Sequence, residues 1–375
     1  MKPKVRFVDI KPYGEKFLLS DPIGISPPLL ITPDLLFILS LLDGSREIRE
    51  VQVEFLKGTG KIIASDELLE IIKFLDENFL LYNERFISKL KEERQKLFQK
   101  GYREPSHAGE AYPNEPEKLK SFIENTLQDG ENFQENAVGI IVPHMDLRVA
   151  NKVYGKVYSL IKGKNPDLVV LLGVSHYFHE TPFSVLPLDL KTPLGFLKVD
   201  NERIKELKKM FEYDLFHDIL AYKKEHSIEF QSIFLNYLFP EAKVIPAIVS
   251  YGDEKLLKEI AKKITRVIEN SSNPLIISSV DFSHVGKKFG DSVSYDPSFR
   301  DTEYIELLKE LKNEEAFKLL LSDNNKTRID GQYTNFVFLD ILKNLGVKKG
   351  KLVDYEIYHE DFTDSKVSYA GLVFS

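Results

Sequence analysis

Our prediction of the fold starts from residues 274–286, which read Pro274-Leu-Ile-Ile-Ser-Ser-Val-Asp-Phe-Ser-His-Val-Gly286. It begins with a short apolar run and ends in a polar cluster that contains Ser279, Asp281, Ser283 and His284. A short apolar run bounded by turn residues is typical of a strand buried on both faces of a parallel sheet. Because ligands bind at the carboxyl ends of such strands, we expect chemistry directly after this one.

Two earlier segments repeat this arrangement of an apolar strand followed at once by a histidine. Residues 138–142 lead into His144, and residues 168–174 lead into His176. If the three strands are neighbours, their histidines meet at one edge of one sheet. The sequence therefore predicts that His144, His176 and His284 converge.

Composition and charge narrow the class of protein. A chain of 375 residues with 43% hydrophobic and 29% charged residues is long enough for two globular domains. Its net charge of −7 argues against nucleic acid as a partner. We find no apolar run of about 18 residues and no charged leader before an apolar segment, which predicts a cytoplasmic protein without a membrane partner.

The chain contains no cysteine, which excludes disulfides, thiolate ligands and thiol nucleophiles. Any metal must therefore be held by histidine, aspartate, glutamate or water. Such ligands suit iron, manganese, zinc or copper and do not choose among them.

The first 85 residues are predicted to form a small winged-helix-like α+β domain. Thr32 caps a helix with Pro33 at its first position, a second helix covers Ile48 to Leu56, and Ser65 caps a third. Residues 79–82 read as a short strand. Acidic residues spread across these helices make phosphate binding improbable, so we expect partner docking or a packing role.

Two segments of this region resemble the peptide-binding winged helices of the PqqD type. These segments are Leu42-Asp-Gly-Ser-Arg-Glu-Ile-Arg-Glu-Val and Leu75-Asp-Glu-Asn-Phe-Leu-Leu. Residues 86–103 are dense in charge and are predicted to form a helical linker to a second domain.

Residues 104–375 alternate apolar strands with amphipathic helices, the pattern of an α/β domain with a mainly parallel sheet covered by helices. The predicted strands are residues 137–142, 168–174, 194–199, 243–248, 275–280, 351–358 and 368–374.

Eight segments of this second domain follow one another as in a known family. They are Ala108-Gly-Glu-Ala-Tyr-Pro, Val142-Pro-His-Met-Asp, Gly173-Val-Ser-His, Thr192-Pro-Leu-Gly, Glu225-His-Ser-Ile-Glu, Ser279-Val-Asp-Phe-Ser-His, Arg328-Ile-Asp-Gly and Val367-Ser-Tyr-Ala-Gly. In order and spacing they resemble the Memo family over residues 104–375. The resemblance implies a fold similar to the class III extradiol dioxygenases, which hold non-haem iron. It also implies, as partners, the radical SAM and AMMECR-type proteins of the AmmeMemoRadiSam system.

The resemblance implies metal ligands at His144, His176 and Asp330. The two histidines match family histidines that look like ligands, and Asp330 stands where the family usually carries cysteine. A carboxylate there favours a divalent transition metal such as iron(II) or manganese, weakens copper(I) binding, and leaves copper or zinc as alternatives. The competing interpretation is that Asp330 caps the helix that follows Gly331.

Three further residues are predicted to act in catalysis. His284 matches the position of the dioxygenase acid/base, although it could be another ligand. Asp281 could orient an imidazole or bind metal, or it could accept backbone N–H bonds of a loop. His226 lines the pocket if its helix begins at the metal-bearing edge; otherwise His226 or Ser227 is a helix cap.

Three classes of function remain open. The first is a metal-dependent oxidoreductase that acts on a small or peptide substrate. The second is an adaptor that binds a peptide or small ligand in a pocket retained from an enzyme. The third is a hydrolase that uses metal-bound water.

Overall fold

The computed structural model describes residues 2–127, 137–177 and 179–375. The chain divides into two compact units, Met1–Gly101 and Tyr102–Ser375. Of the helices that the structure describes, none is both long and apolar enough to cross a membrane.

The first unit begins with an antiparallel sheet and continues with helices. Its strands, in the order β1-β2-β3, and its helices are β1 (Asp9–Tyr13), β2 (Lys16–Ser20), β3 (Leu29–Ile31), α1 (Pro33–Leu41), α2 (Ile48–Thr59), α3 (Ser65–Glu77) and α4 (Glu84–Lys100). Leu19, Ile38, Val51, Phe55 and Leu68 form the centre of its core.

Most of the predicted elements of this unit are confirmed, and the exceptions are local. The Thr32 side chain accepts from the amide of Leu35, as a cap should. Ser65 is not a cap, since Ala64 precedes α3 and supplies no side-chain bond. The expected strand at residues 79–82 is reduced to one bridge between Leu81 and Val5. The β1–β3 sheet was not predicted, because β1 is too polar to show a clear alternation.

The second unit alternates strands and helices. Its helices are α5 (Pro116–Thr126), α6 (Asn151–Ile161), α7 (Asn201–Lys208), α8 (His226–Leu238), α9 (Glu254–Ile268), α10 (Ser298–Lys309), α11 (Asn313–Leu321) and α12 (Gln332–Asn344). Its strands are β4 (Tyr102–Arg103), β5 (Gly139–Val142), β6 (Leu168–Gly173), β7 (Phe183–Val185), β8 (Asp189–Thr192), β9 (Gly195–Leu197), β10 (Lys243–Val249), β11 (Pro274–Ser279), β12 (His284–Gly286), β13 (Gly350–Glu360) and β14 (Ser365–Phe374).

The main sheet is mixed, which corrects the prediction of a mainly parallel sheet. In the described chain its order is β12-β14-β5-β11-β6-β10-β7, with β13 paired to β14. The central strands β5, β11, β6 and β10 are parallel, but β7, β12, β13 and β14 pair antiparallel. The short turn between β13 and β14 allows only an antiparallel pair, because a parallel pair needs a long crossover.

Helices cover both faces of this sheet. A Cβ at Gly139 would collide with Leu342 and Phe338 of α12, whereas one at Gly371 would meet Val153 of α6. Strands β5 and β6 are fully buried, and β10 and β11 are buried after their first residue, as strands covered on both faces must be. Buried side chains therefore lie on both faces of the four parallel strands.

The carboxyl ends of the parallel strands lie level with one another. Val142 of β5 pairs with Ser279 of β11, and Ser278 pairs with Leu172 of β6. Ile248 of β10 pairs with Gly173, the last residue of β6. This register brings the segments that follow β5, β11 and β6 to one edge of the sheet.

Candidate metal centre

Of the three histidines predicted to converge, His144 and His176 lie together, whereas His284 belongs to neither ligand group of the described residues. Asp281, which follows β11, lies beside His144 instead. The rings of His144 and His176 lie 4.8 Å apart between centroids. The amide of His144 donates to Oδ1 of Asp281 at 3.0 Å. These contacts follow from the register of the neighbouring strands β5, β11 and β6.

His144 is oriented so that its Nε2 faces the cluster. Its Nδ1 donates to the carbonyl of Ser279 at 3.0 Å, and the ring is almost fully buried. Burial lowers the pKa of His144, but the carboxylates of Asp281 and Asp330 outweigh burial and raise it to about 10. An imidazole fixed by a carbonyl at one nitrogen and free at the other is the usual arrangement of a metal ligand.

Asp330 carries the strongest indication of a cation site. Its Oδ2 lies 2.9 Å from Nε2 of His144, but the two atoms are not aligned for a hydrogen bond. Both carboxylate oxygens and Nε2 of His144 are buried and lack a hydrogen-bond partner among the described residues. Buried charged oxygens are costly unless a cation, a donor or water satisfies them.

The competing interpretation of Asp330 as a helix cap is not supported. Gly331 is the residue that precedes α12, and within the part of the chain that the structure describes no side chain caps that helix. The Asp330 oxygens are therefore free for another partner.

Asp281 combines both of the roles considered for it. Its Oδ1 accepts the amides of His144 and Met145, at 3.0 and 3.1 Å, as a loop carboxylate would. Its Oδ2 lies 3.7 Å from Nε2 of His144 and faces the same space as Asp330. Burial raises the pKa of Asp281 more than the nearby His144 lowers it.

His176 is held by Glu225, a residue for which the sequence gave no role. The Nδ1 of His176 donates to Oε1 of Glu225 at 2.8 Å, and its amide donates to Oε2 at 3.0 Å. Burial would raise the pKa of Glu225, but the imidazoles of His176 and His226 hold it well below its usual range. This carboxylate–imidazole pair leaves Nε2 of His176 available to a metal.

His226 lies inside the cluster. Its ring centroid is 4.1 Å from that of His176 and 5.1 Å from that of His144. Neither His226 nor Ser227 caps α8, because the Glu225 side chain accepts the amide of Ser227 instead. Burial, and then the charges of His176 and His144, lower the pKa of His226, which favours a neutral ring that can bind metal.

The ligand atoms fall into two groups that share His144. Within the described residues, one group is His144, His176 and His226, and the other is His144, Asp281 and Asp330. In each group the ligand atoms lie within 4.8 Å of one another. The predicted ligands His176 and Asp330 thus fall in different groups, and His144 is the residue that the two groups share.

His284 lies beside these groups and belongs to neither of them in the described chain. It begins β12, and its Nδ1 faces the carbonyls of Phe282 and Arg328 at 3.0 and 3.1 Å. Two carbonyl acceptors place the proton on Nδ1, so Nε2 is the nitrogen that can accept a proton. The Arg328 guanidinium bonds the His284 carbonyl and pairs with Asp291.

A cavity of about 390 Å³ adjoins the cluster and is bordered by both His176 and Asp330. Its other lining residues are Val174, Ser175, Val249, Ser250, Asn324, Asn325, Arg328, Ile329, Gln332 and Tyr333. This volume falls within the range of small-molecule sites. Hydroxyl and amide groups dominate its polar lining.

Glu229 and His107, which also lie near the cluster, were not identified from the sequence. The buried Glu229 carboxylate accepts from Ser106, His107 and Tyr112 and pairs with Arg103 at 2.5 Å. These bonds place the His107 ring 5.8 Å from that of His226. The signal was available: Glu225 and Glu229 lie four residues apart at the start of an apolar helix, where an unpaired carboxylate would be costly.

The fold and the cluster define an α/β protein with a histidine- and aspartate-rich centre at the carboxyl edge of its sheet. The model of the Memo-like protein family matches residues 103–373. A MEMO1 family protein of Aquifex aeolicus is 72% identical over 375 residues, which is 100% of both chains. MEMO1 family protein TTHA0924 of Thermus thermophilus is 31% identical, over 88% of this chain and 99% of its own.

The chain therefore belongs to the Memo-like family. A shorter MEMO1 family protein of Nitrosopumilus maritimus is 27% identical and matches 72% of this chain over 99% of its own length. An uncharacterized protein of Escherichia coli K12, JW3007, is 12% identical, with a TM-score of 0.38 over 63% of this chain and 98% of its own. A TM-score of this size does not establish a common fold.

Proposed function

We propose that this chain is a metal-dependent oxidoreductase that holds a divalent transition metal, with iron(II) favoured. The proposed ligands are His144, His176 and Asp330, which are drawn from the two groups that share His144. The observation that carries this proposal is that, among the described residues, both buried Asp330 oxygens and the buried Nε2 of His144 lack a hydrogen-bond partner, although Oδ2 and Nε2 lie only 2.9 Å apart. A cation is the partner that would satisfy all three atoms.

The donor set fits such a metal. Two imidazoles and one carboxylate leave coordination positions open, where a bound iron(II) supplies oxygen chemistry and Lewis acidity. Glu225 orients His176, and the Ser279 carbonyl fixes the ring of His144. These partners set which nitrogen of each ring faces the cluster.

Proton transfer is assigned to His284. Its Nδ1 is committed to backbone carbonyls, so Nε2 is the atom that takes a proton from a substrate hydroxyl and later returns it. Asp281 and His226 support the reaction by shaping the charge around His144. The cavity beside His176 and Asp330 receives a small substrate or the end of a peptide.

The likeness to class III extradiol dioxygenases and the partnership with radical SAM and AMMECR-type proteins are parts of the same proposal. A PqqD-like winged helix in the first unit would then serve to dock a partner peptide. The succession of α1, α2 and α3 supports this comparison.

Metal content tests the ligand set. The chain is purified without air, supplied with iron(II) and desalted, and bound metal is measured for the parent, His144→Ala, His176→Ala and Asp330→Asn. We expect about one iron per chain in the parent and less than about a tenth of that in His144→Ala. His359→Ala, whose ring is half exposed near Asp361, is the matched control and should retain iron. Equal iron in all variants would refute the centre.

Oxygen uptake separates an enzyme from an adaptor. The iron-loaded parent is screened with catechol-like and enol-containing compounds against free iron(II) at the same concentration. The oxidoreductase is supported if oxygen uptake by the iron-loaded parent is faster than uptake by free iron(II). His284→Gln should then lose this uptake while it keeps its bound iron. Bound iron without any such uptake favours the ligand-binding adaptor.

A further inference from the structure

The cluster offers more ligands than one ion of ordinary coordination requires. One group supplies three imidazoles, from His144, His176 and His226. The other combines His144 with the carboxylates of Asp281 and Asp330. A ligand atom of His226 lies within 4.8 Å of those of His144 and His176, which makes His226 a candidate metal ligand. A catalytic role alone would not require this proximity.

His144 can serve only one ion at a time. Its Nδ1 is bonded to the Ser279 carbonyl, which leaves Nε2 as its single ligand atom. Both groups depend on this nitrogen. An ion in the histidine group therefore excludes an ion from the carboxylate group.

Both positions are nearly assembled. Ligand atoms that each lie about 2.0–2.1 Å from a tetrahedral metal are about 3.3–3.4 Å apart. The ligand atoms of each group lie within 4.8 Å of one another, so closure requires side-chain shifts on the order of 1 Å. The ring centroids of His176 and His226, 4.1 Å apart, show how compact the histidine side already is.

The two positions differ in the chemistry of their donors. Three imidazoles suit zinc, copper and nickel, whereas one imidazole with two carboxylates suits manganese and other metals that prefer oxygen. Asp281 and Asp330 bring carboxylate oxygens beside His144, whereas His176 and His226 bring imidazole nitrogens. Each of the two groups therefore favours a different class of metal ion.

We propose that one ion occupies either of two overlapping positions that share Nε2 of His144, with His226 as a ligand of the nitrogen-rich position. Zinc and copper(II) bind at His144, His176 and His226, and manganese(II) binds at His144, Asp281 and Asp330. Iron(II), which accepts both kinds of donor, draws on both sides. This inference rests on the metal centre of the proposed function. It adds His226 as a ligand and states which metals each position binds.

Affinities for zinc(II) and manganese(II) alone test the inference, measured by titration of the metal-free full chain. His226→Gln should weaken zinc binding at least tenfold and leave manganese binding within about threefold. Asp281→Asn, whose Oδ1 still accepts the amides of His144 and Met145, should do the reverse. His359→Gln is the control and should change neither affinity.

Electron paramagnetic resonance of the copper(II)-loaded parent provides a measurement that needs no variant to fold. Coupling to three imidazole nitrogens is expected, falling to two in His226→Gln. Two nitrogens or fewer in the parent would overturn the inference.

Other outcomes are equally decisive. If His226→Gln leaves zinc affinity unchanged, or if both variants weaken both metals equally, the ion has one fixed position and the inference is wrong. Zinc binding without manganese binding by the parent would also overturn it. Retention of both metals by His144→Ala would instead refute the metal centre itself, and the proposed function with it.

Discussion

His144 occupies the point at which the two halves of the candidate centre meet, and its environment makes a prediction about protons. Burial lowers its pKa, but Asp281 and Asp330 outweigh burial and raise the pKa to about 10 in the metal-free chain. The ring therefore carries a second proton at neutral pH, held on the nitrogen that a metal must bind. Metal binding has to displace this proton.

Metal affinity should consequently rise with pH. Because the pKa of His144 is raised, the competing proton is bound below about 10 and is lost above it, so affinity should increase by up to about tenfold per pH unit and then level off. Calorimetry in two buffers of different ionisation enthalpy measures the release of about one proton per metal at neutral pH. Asp330→Asn removes one of the charges that raise the pKa of His144, so this variant should release fewer protons per metal. Identical heats of binding in the two buffers would contradict the prediction.

Glu225 makes a second prediction at the scale of the single residue. Its carboxylate fixes the ring and the amide of His176, so Glu225→Gln should weaken zinc affinity by about 10–100-fold. Titration of the metal-free chain measures the loss. Glu180→Gln, a half-exposed carboxylate paired with His217, serves as the control and should have no effect. Unchanged affinity in Glu225→Gln would show that His176 is not a ligand.

Helix α8 is the element that carries Glu225, His226 and Glu229 to the edge of the sheet. Its first turn packs directly on the end of β6, where Ser227 bonds the carbonyl of Val174. A Cβ at Gly173 would collide with Oγ of Ser227 and would lie 2.9 Å from Cδ1 of Ile228. Glycine is required there by the close approach of helix and strand.

Gly173→Ala should therefore displace the first turn of α8. We expect a loss of about 1–3 kcal/mol of unfolding free energy, measured by urea denaturation, together with weaker zinc binding. Ser227→Ala, combined with Gly173→Ala, removes the nearest clash and should recover part of both losses. A stable Gly173→Ala chain with parental zinc affinity would contradict this account of the helix position.

Arg103 connects β4 to the same helix. Its side chain, almost fully buried, pairs with Glu229 and donates to the carbonyls of Tyr222 and Glu225. Arg103→Met would leave the Glu229 carboxylate buried without its cation and should cost about 3–5 kcal/mol of unfolding free energy in urea denaturation. Lys118→Met, which breaks an exposed pair with Glu115, is the control and should change stability little. Similar losses in the two variants would show that burial of the pair is unimportant.

At the scale of the whole molecule, all the candidate ligands and the residues that orient them lie in the unit Tyr102–Ser375. The Memo-like family model covers residues 103–373, and the Nitrosopumilus relative matches 72% of this chain over 99% of its own. Residues 102–375 expressed alone should therefore fold cooperatively and bind zinc within about threefold of the full chain, as measured by thermal unfolding and titration. A fragment that fails to fold would show that the first unit is needed for the second.

Helices and strands could be predicted where hydrophobic periodicity alone identifies them. The strands that were missed, or given the wrong direction, lack such a local signal. The apolar runs of β5, β6 and β11 identify buried strands without any tertiary information. The polar strands β1 and β8 and the short strands β7 and β12 were missed, because too few residues alternate to give a period. Strand direction was wrong at the sheet edges, since periodicity identifies a strand but not its neighbour.

The sequence by itself determined the α/β alternation, the buried strands and the placement of His144, His176 and Asp281 directly after strand ends. These features depend on hydrophobic periodicity and on residue type, which are local properties. Tertiary structure was needed to show that His226 joins the histidines, that Asp330 faces His144 without a hydrogen-bond partner among the described residues, and that Glu225 holds His176. Those contacts join residues up to nearly two hundred positions apart, and distances of that kind are set by sheet register and helix packing, which no local pattern encodes.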